Sequence, residues 1–415
     1  MSSFTLDEIR RATGAVLWHG RAEARVRGVS TDSRTLPRES LYVALRGANF
    51  DGNAFAADAC ASGAAALLLR AENGQAPRDL PDGVPVLLHA DPQRALLALA
   101  DFHRRRLKCP VIAITGSAGK TTTKNMLQAL LEPSLRVVAS EKSFNNDIGV
   151  PLTLLRADET TEVLIVEVGT NAPGEIAALA AVVRPSVSIV TGIGHAHLEK
   201  LGSLEGVARE KAALLAALPS DGLAVLNADC RQLPILRAAL RSRVITCSVQ
   251  GDADLVAREL LFHGAGSSFR LGPLRVTLPL LGTHNVSNLL LAIAACQALG
   301  LGLDELLPRI ACLQGGKQRL ERHELAGITL IDDAYNANPE SMRAAVRVLE
   351  GLHGYRRRVF VLGDMLELGP SSAELHHALG AEIASRSVDL LVLVGELARA
   401  AGAGALEAGL APARV

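Results

Sequence analysis

Between the apolar run Val111-Ile112-Ala113-Ile114 and a segment that reads as a helix start, Lys124-Asn125-Met126-Leu127, the chain carries Thr115-Gly116-Ser117-Ala118-Gly119-Lys120-Thr121-Thr122. A strand that breaks at glycine and restarts as a helix exposes backbone N–H groups where a negative charge can sit. Lys120 would neutralise the β and γ oxygens of a nucleotide, and the Thr121 hydroxyl is placed to ligate Mg²⁺. The usual spacing G-x-x-x-x-G-K-[ST] requires glycine at 114, where this chain has Ile114. The stretch therefore reads as a shorter variant, T-G-x-x-G-K-T, beginning at Thr115. An ordinary glycine turn would not need Gly116, Gly119, Lys120 and Thr121 together in this context, so a nucleotide site is expected, with its reaction still open.

Parallel strands present functional residues at their carboxyl ends. The polar residues that end VLIVEVG and VSIVTGIGHAH should then face the same crevice as the cradle, which makes Glu167 and His197 candidates. Inside a strand an unpaired carboxylate is costly, so Glu167 needs a metal or a cation, a salt bridge being the simpler alternative. His197 has His195 as a neighbour, and a loop histidine reads as a surface or capping residue as readily as a ligand. Lys211 lies in the helical stretch from Ser203 to Leu218, where a lysine on its own reads as solvated.

The elements that must position these residues follow from composition and pattern. At 415 residues the chain exceeds one ordinary domain, and three are expected: 1–107, 108–316 and 317–415, with Gly315-Gly316 as the hinge into the last. Lys+Arg and Asp+Glu both number 43, so no basic excess points to nucleic acid or a membrane surface, and a small-molecule partner is expected. No apolar run approaches the length of a membrane span, and MSSFTLDEIRRATG lacks a signal-peptide core, so a cytoplasmic protein is expected. The cysteines, Cys60, Cys109, Cys230, Cys247, Cys296 and Cys312, show no C-x-x-C pair and read as reduced, buried packing residues.

The fold class expected is α/β. The first segment mixes a helix at Leu6–Thr13, strands around 41–45 and 65–69, and a helix through 94–106. VIAITG, VLIVEVG, VSIVTGIG and LAVLNAD give the rhythm of a parallel sheet in a central ATPase-like domain, followed by β-rich sequence from 243 to 281 and a helix from about 285 to 299. Strands at ITLIDDA, RVFVLGD and LLVLVG predict a C-terminal dinucleotide-fold-like unit without G-x-G-x-x-G, possessing fewer strands than a well-covered parallel sheet usually has.

TGSAGKTTT, EVGTNAPGEI, HLEKLGSLEGVAREK, GTHNVSN and DDAYNANPESM occur in this order along nearly the whole chain, which thereby resembles the Mur ligase family of peptidoglycan synthesis. Within that family DDAYNANPESM, GDMLELG and VSTDSR are similar to the branch that adds D-alanyl-D-alanine to UDP-N-acetylmuramoyl-tripeptide. The tetrapeptide D-N-P-R, typical of the branch adding the third amino acid, does not occur. An ATP-dependent ligase of the folylpolyglutamate synthase type and a non-catalytic ATP-binding regulator are the alternatives.

The resemblance implies the following roles. Thr115 to Thr122 hold ATP, with His284 and Asn288 near the base, although an N-cap role for Thr283 or Asn285 is as natural from sequence alone. Arg319 and Asp333 reach the nucleotide from the third domain. Lys211 matches a lysine carbamylated in most members, which with Glu167 and His197 would hold a second Mg²⁺, the first lying on Thr121 and the phosphates. Thr31, Asp32, Ser33, Arg34, Arg46 and Gly47 match the uridine-nucleotide region, and Asn145 and Asn146 the loop meeting the muramoyl tripeptide. Tyr335, Asn336 and Asn338 would line the dipeptide pocket, unless they form only a turn before a helix capped by Ser341. The implied enzyme activates the tripeptide carboxylate as an acyl phosphate, and a monomer is expected. Two departures stand out: the family's D-G-H-x-F reads Asp51-Gly52-Asn53-Ala54-Phe55, and the family usually continues for a few dozen residues beyond the position of Val415.

Overall fold

Segments such as VIAIT and VLIVE are apolar at nearly every position rather than at alternate ones, the pattern of strands covered on both faces, and both are buried along their whole length. The computed structural model describes residues 1–71, 75, 77, 83–264 and 266–415. Its chain divides into two units, Met1–Val111 with Leu135–Val168 and Ala178–Arg184, and Ile112–Ser134 with Gly169–Ala177 and Pro185–Val415.

In the first unit a five-stranded sheet runs in the order Val16–His19, Val86–His89, Ala66–Arg70, Leu41–Val43, Val29–Ser30. Its first pair is antiparallel and the others are parallel. Leu41, Leu67, Leu68 and Leu87 are fully buried in it. The helix expected at Leu6–Thr13 has those bounds because Thr5 and Glu8 close a capping box and Gly14 takes the left-handed conformation that ends it. The helix expected through 94–106 starts earlier, at Pro92, because Asp91 accepts from the N–H groups of Gln93 and Arg94. Val137–Ala139 and Val163–Glu167 pair in parallel and carry Glu167 at their carboxyl end.

In the second unit the strands Val111–Thr115, Val187–Val190, Leu223–Asn227 and Arg243–Ser248 lie side by side in parallel. Leu255–His263 continues the sheet, and Gly266–Leu271 and Leu274–Leu278 complete it as an antiparallel meander. Helix Thr283–Ala298 packs against this sheet and is buried along most of its length. Farther along, Ile328–Asp332 pairs with Glu321–Leu325 in a hairpin, while Val359–Gly363 and Leu390–Val394 form a parallel pair. Helices Ser372–Ala384 and Arg399–Glu407 pack so closely that a β-carbon at Gly380 would lie 1.8 Å from the Ala401 carbonyl oxygen.

All six cysteines are free thiols. The expectation that they are buried needs correction: Cys247 and Cys296 are, Cys60, Cys109 and Cys230 are half-buried, and Cys312 is exposed just beyond a helix end. Among the described residues no helix is long and apolar enough to cross a membrane.

Candidate active site

The loop after strand Val111–Thr115 is shaped by two glycines. At Gly116, with φ 150°, a β-carbon would sit 1.9 Å from Thr191 Oγ1, and at Gly119, with φ 85°, one would sit 2.5 Å from Asn288 Oδ1. Any side chain at either position would push the loop off its support. Ile114 is compatible with the short loop because it belongs to the strand and is fully buried. Ser117 ties the loop to the neighbouring strand end: its N–H donates to Gly192 O, and its hydroxyl both donates to Gly194 O at 3.1 Å and accepts from Gly194 N at 2.9 Å. Thr191 Oγ1 donates to Ala118 O. Lys120 Nζ donates to Gly116 O at 2.8 Å, which draws the ammonium back over the loop. Helix Lys120–Leu131 is capped by Gly119, which has no side-chain acceptor to offer. A helix start of that kind suits an external anion. Thr121 is buried at this start and Thr122 half-buried.

Arg319 reaches the same turn. Its Nη2 donates to Thr121 Oγ1 at 3.2 Å, and its guanidinium carbon lies 4.2 Å from the centre of the Tyr335 ring. Asp333 Oδ1 accepts from Leu320 N at 3.1 Å. Burial pushes the Asp333 carboxyl up to about 6, against the Leu320 N–H and the charge of Arg319. His284 precedes Asn288 by one helical turn, and burial pushes its ring down to about 4. Neither Thr283 nor Asn285 is the N-cap of that helix. Gly282 is, and Asn285 Nδ2 donates backwards to Leu281 O at 2.8 Å.

The loop carrying the two histidines is held by two glutamates from the C-terminal region. His195 engages Glu340 twice, Nδ1 to Oε1 at 2.5 Å and N–H to Oε2 at 2.9 Å. His197 Nδ1 lies 2.6 Å from Glu367 Oε2. Both His197, with φ 57°, and Glu367, with φ 61°, adopt the left-handed backbone conformation that non-glycine residues seldom take. Burial is the main influence on the His197 ring and lowers its pKa, Glu367 opposes, and the charges of Lys211 and Lys120 act with burial.

Lys211 is 1% exposed, so the solvated reading of this lysine is overturned. The helical pattern conceals this, because helix Leu204–Ala216 turns Lys211 toward the interior along with Val207, Ala208 and Leu214. Burial drives the amine pKa well below its ordinary value, Lys120 adds to the effect, and Glu210 opposes it. Glu210 itself accepts from Ile176 N at 2.8 Å and Gly174 N at 2.7 Å, which binds the Asn171–Ile176 loop to this helix.

In the first unit Glu167 is 1% exposed, and its Oε1 accepts from Asn145 Nδ2 at 2.8 Å. Its backbone N–H donates to Ser140 Oγ. Asn146 acts differently, its side-chain oxygen accepting from Gly149 N at 2.9 Å at the start of helix Gly149–Arg156. In the Thr31–Arg34 turn, paired hydrogen bonds from Arg34 hold the Asp32 carboxyl down to about 2, and Ser33 is buried beside them. The backbones of Arg46 and Asp51 form an isolated antiparallel β-bridge, and a β-carbon at Gly47 would strike the Phe50 ring. Asn53 exchanges two 3.0 Å hydrogen bonds with the backbone of Arg70 and so takes a structural part.

Of the expected site residues, the second unit thus gathers Lys120, Thr121, Asn288, Arg319, Tyr335 and Asp333 around one helix start, with Lys211 and His197 within electrostatic reach of Lys120. Asn336 is exposed, whereas Asn338 is buried and is the N-cap of helix Pro339–Gly351, in a capping box with Ser341. The helix is therefore capped by Asn338, and Ser341 is its reciprocal partner rather than the cap. Sequence reasoning missed Glu210, Glu340 and Glu367. The last two lie inside NANPESM and GDMLELG, Glu340 in the first turn of a helix and Glu367 in a loop, and a single glutamate at either place has no periodicity that marks it.

Three family models match the chain: "Mur ligase family, catalytic domain" over residues 25–104, "Mur ligase middle domain" over 114–296, and "Mur ligase, glutamate ligase domain" over 318–415. A curated UDP-N-acetylmuramoyl-tripeptide--D-alanyl-D-alanine ligase of Bacillus subtilis (strain 168) is 36% identical over 385 residues, 92% of this chain and 83% of its own length. A crystal structure of MurF from Acinetobacter baumannii is 33% identical with a TM-score of 0.88, covering 97% of this chain and 88% of that one. That of MurF ligase from Thermotoga maritima in complex with ADP is 25% identical with a TM-score of 0.78, covering 90% and 86%.

Proposed function

The chain belongs to the Mur ligase family, and from that premise we propose how its residues divide the work of the reaction. The enzyme is an ATP-dependent ligase that joins D-alanyl-D-alanine to UDP-N-acetylmuramoyl-tripeptide through an acyl phosphate, giving the pentapeptide, ADP and phosphate in peptidoglycan precursor synthesis. The observation that carries the assignment of residues is the buried Lys211 within electrostatic reach of Lys120, an arrangement that nucleotide binding alone does not require.

An amide does not form from a carboxylate and an amine in water without activation. The tripeptide's terminal carboxylate attacks the γ-phosphorus of ATP, and ADP leaves. Lys120, released from Gly116 O, balances the charge spread over the phosphoryl oxygens, while the N–H groups of the Gly116–Thr122 turn hold the phosphates in line. Arg319 fixes the Thr121 hydroxyl, and His284 and Asn288 border the nucleotide base. The dipeptide amine then attacks the acyl carbonyl and phosphate departs, with no protein nucleophile. We assign Tyr335 and Asn336 to the dipeptide pocket together with Asn338, whose contribution passes through its cap. Thr31, Asp32, Ser33, Arg34, Arg46 and Gly47 are assigned to the uridine nucleotide, and Asn145 and Asn146 to the tripeptide.

The donor chemistry fits Mg²⁺: a hydroxyl at Thr121, a buried carboxylate at Glu167, an imidazole at His197 and an amine at Lys211 whose burial favours the neutral form, the form that reacts with CO₂. Two ions, one on Thr121 and one on Glu167, His197 and carbamylated Lys211, would add positive charge against the phosphoryl oxygens. We take the enzyme to be a cytoplasmic monomer with domains at 1–107, 108–316 and 317–415.

The test is phosphate release with UDP-muramoyl tripeptides ending in meso-diaminopimelate or lysine, with and without D-Ala-D-Ala. Release that depends on both the tripeptide and the dipeptide is expected. Turnover with a folate in place of the muramoyl peptide would overturn the assignment.

A further inference from the structure

His197 and Glu367 lie 170 positions apart in sequence, meet at 2.6 Å, and both take a left-handed backbone to do so. A strained conformation persists only where its surroundings impose it. The surroundings here are specific. Glu367 sits in the loop after strand Val359–Gly363, and that loop is itself fixed: Met365 N–H donates to the fully buried His376 Nε2 at 3.0 Å, and His376 Nδ1 donates to Ser372 O at 2.7 Å. Glu199 N–H also donates to Glu367 O, at 3.3 Å, and Gly369 packs against Glu199 so tightly that a β-carbon there would lie 3.0 Å from its Cα. The Glu367 carboxylate is thus delivered by a rigid loop to one ring nitrogen of His197.

We propose that Glu367 is a positioning residue of this enzyme: by accepting a hydrogen bond from the Nδ1–H of His197 it fixes the tautomer whose Nε2 carries a lone pair, and so presents that nitrogen to the divalent cation. The proposal rests on the reading of His197 as a ligand. A metal-binding imidazole ordinarily donates its second N–H to a carboxylate or carbonyl, which sets the ring's orientation and raises its basicity. Here the carboxylate comes from the C-terminal region, so the histidine is completed as a ligand only while that region is docked on its loop. The neighbouring pair, His195 with Glu340, holds the same loop to helix Pro339–Gly351 without touching His197, and serves as the control for docking alone.

Two readouts test this. In metal-free protein, ¹⁵N NMR of labelled histidine near pH 8 should show His197 as the Nδ1-protonated tautomer, and Glu367→Ala should convert it to a mixture. Mn²⁺ titration by electron paramagnetic resonance, with a non-hydrolysable ATP analogue bound, should show the His197-dependent ion weakened about 10- to 100-fold in Glu367→Ala. The isosteric Glu367→Gln, whose amide oxygen still accepts the hydrogen bond from Nδ1–H, should fall between Glu367→Ala and the unaltered protein. Turnover should drop in kcat with the KM for ATP held within about threefold, the signature of a lost interaction that acts in the transition state. Glu340→Ala should leave Mn²⁺ affinity close to that of the unaltered enzyme, because Glu340 holds His195 and not the ring of His197. If His197→Ala weakens the ion but Glu367→Ala does not, or if Glu340→Ala weakens it as much as Glu367→Ala, the positioning role is overturned. If His197→Ala itself leaves the ion's affinity unchanged, the ligand reading fails and the proposal with it.

Discussion

Arg319 donates to the Thr121 hydroxyl at 3.2 Å across 198 positions of sequence, while its guanidinium lies over the Tyr335 ring. One side chain thereby joins the start of helix Lys120–Leu131 to the segment that follows Gly315-Gly316. The extended guanidinium makes both contacts at once, one through Nη2 and one through its face, which the single-centred ammonium of lysine does not reproduce. Arg319→Lys should therefore raise the KM for ATP by about tenfold, the equivalent of one hydrogen bond to a charged donor. Steady-state kinetics at saturating dipeptide measure it, and an unchanged KM would remove Arg319 from the nucleotide site.

Lys120→Ala removes the ammonium that folds over the loop onto Gly116 O. Loss of a donor to a developing anion lowers turnover by at least about 100-fold. The loop itself is held by Ser117, Thr191 and the two glycines, so thermal stability should stay close to that of the unaltered protein. Near-normal ATP-dependent ligation by this variant would sink the role given to the lysine.

Lys211 is expected to act as a carbamate. An ammonium beside Lys120 in a buried site opposes two like charges, whereas a carbamate reverses the sign and supplies hard oxygen ligands. Lys211→Ala should abolish ligation, and acetate or formate should restore part of it by entering the vacated space. Lys211→Arg should stay inactive, because guanidinium keeps its charge and does not take up CO₂ in this way. An active Lys211→Arg enzyme would refute the carbamate.

Asn336 and Asn338 look equivalent in sequence but are separated by the fold. Asn338 accepts from Ser341 N at 2.9 Å as a helix cap, and Asn336 is exposed. Asn338→Ala should lower stability by about 1 kcal/mol, and Asn338→Asp should recover most of it. Asn336→Ala should leave the melting temperature alone and raise the KM for D-Ala-D-Ala far more than that for ATP. An unchanged dipeptide KM in Asn336→Ala would place the pocket elsewhere.

Much of the second unit's site was legible because its chemistry is local. A strand, two glycines, a lysine and a hydroxyl occupy consecutive positions, and their geometry follows from backbone rules alone. The inward turn of Lys211 was not legible, since a helix of alternating alanine, leucine and charge permits either face to be buried, and only packing against the sheet decides. Asn338 misled for the opposite reason: its cap is a local signal, but the flanking Pro339 and Ser341 allow either asparagine or serine to begin the helix. The glutamates that hold His195 and His197 stood in motifs already singled out. Their partners lie 145 and 170 positions away, a separation at which spacing carries no information.

Asp333 gives the molecule a pH dependence that can be read from its surroundings. Burial raises its folded-state carboxyl to about 6 from the ordinary 3.8, with the Leu320 N–H and Arg319 only partly opposing. Because the folded pKa lies above the unfolded one, Asp333 favours the folded state fully below about pH 4, and that contribution is lost as pH rises through about 6. Asp333→Asn keeps an oxygen that can accept from Leu320 N and removes the ionisation. The variant should melt at the same temperature as the unaltered protein near pH 4 and at a higher one above pH 6.5, the gap opening between those values. Calorimetry across pH 4 to 8 without nucleotide measures it. A constant difference at every pH would show that Asp333 is not perturbed by burial, and a variant less stable at pH 7.5 would show that its charge is paired more strongly than it is desolvated.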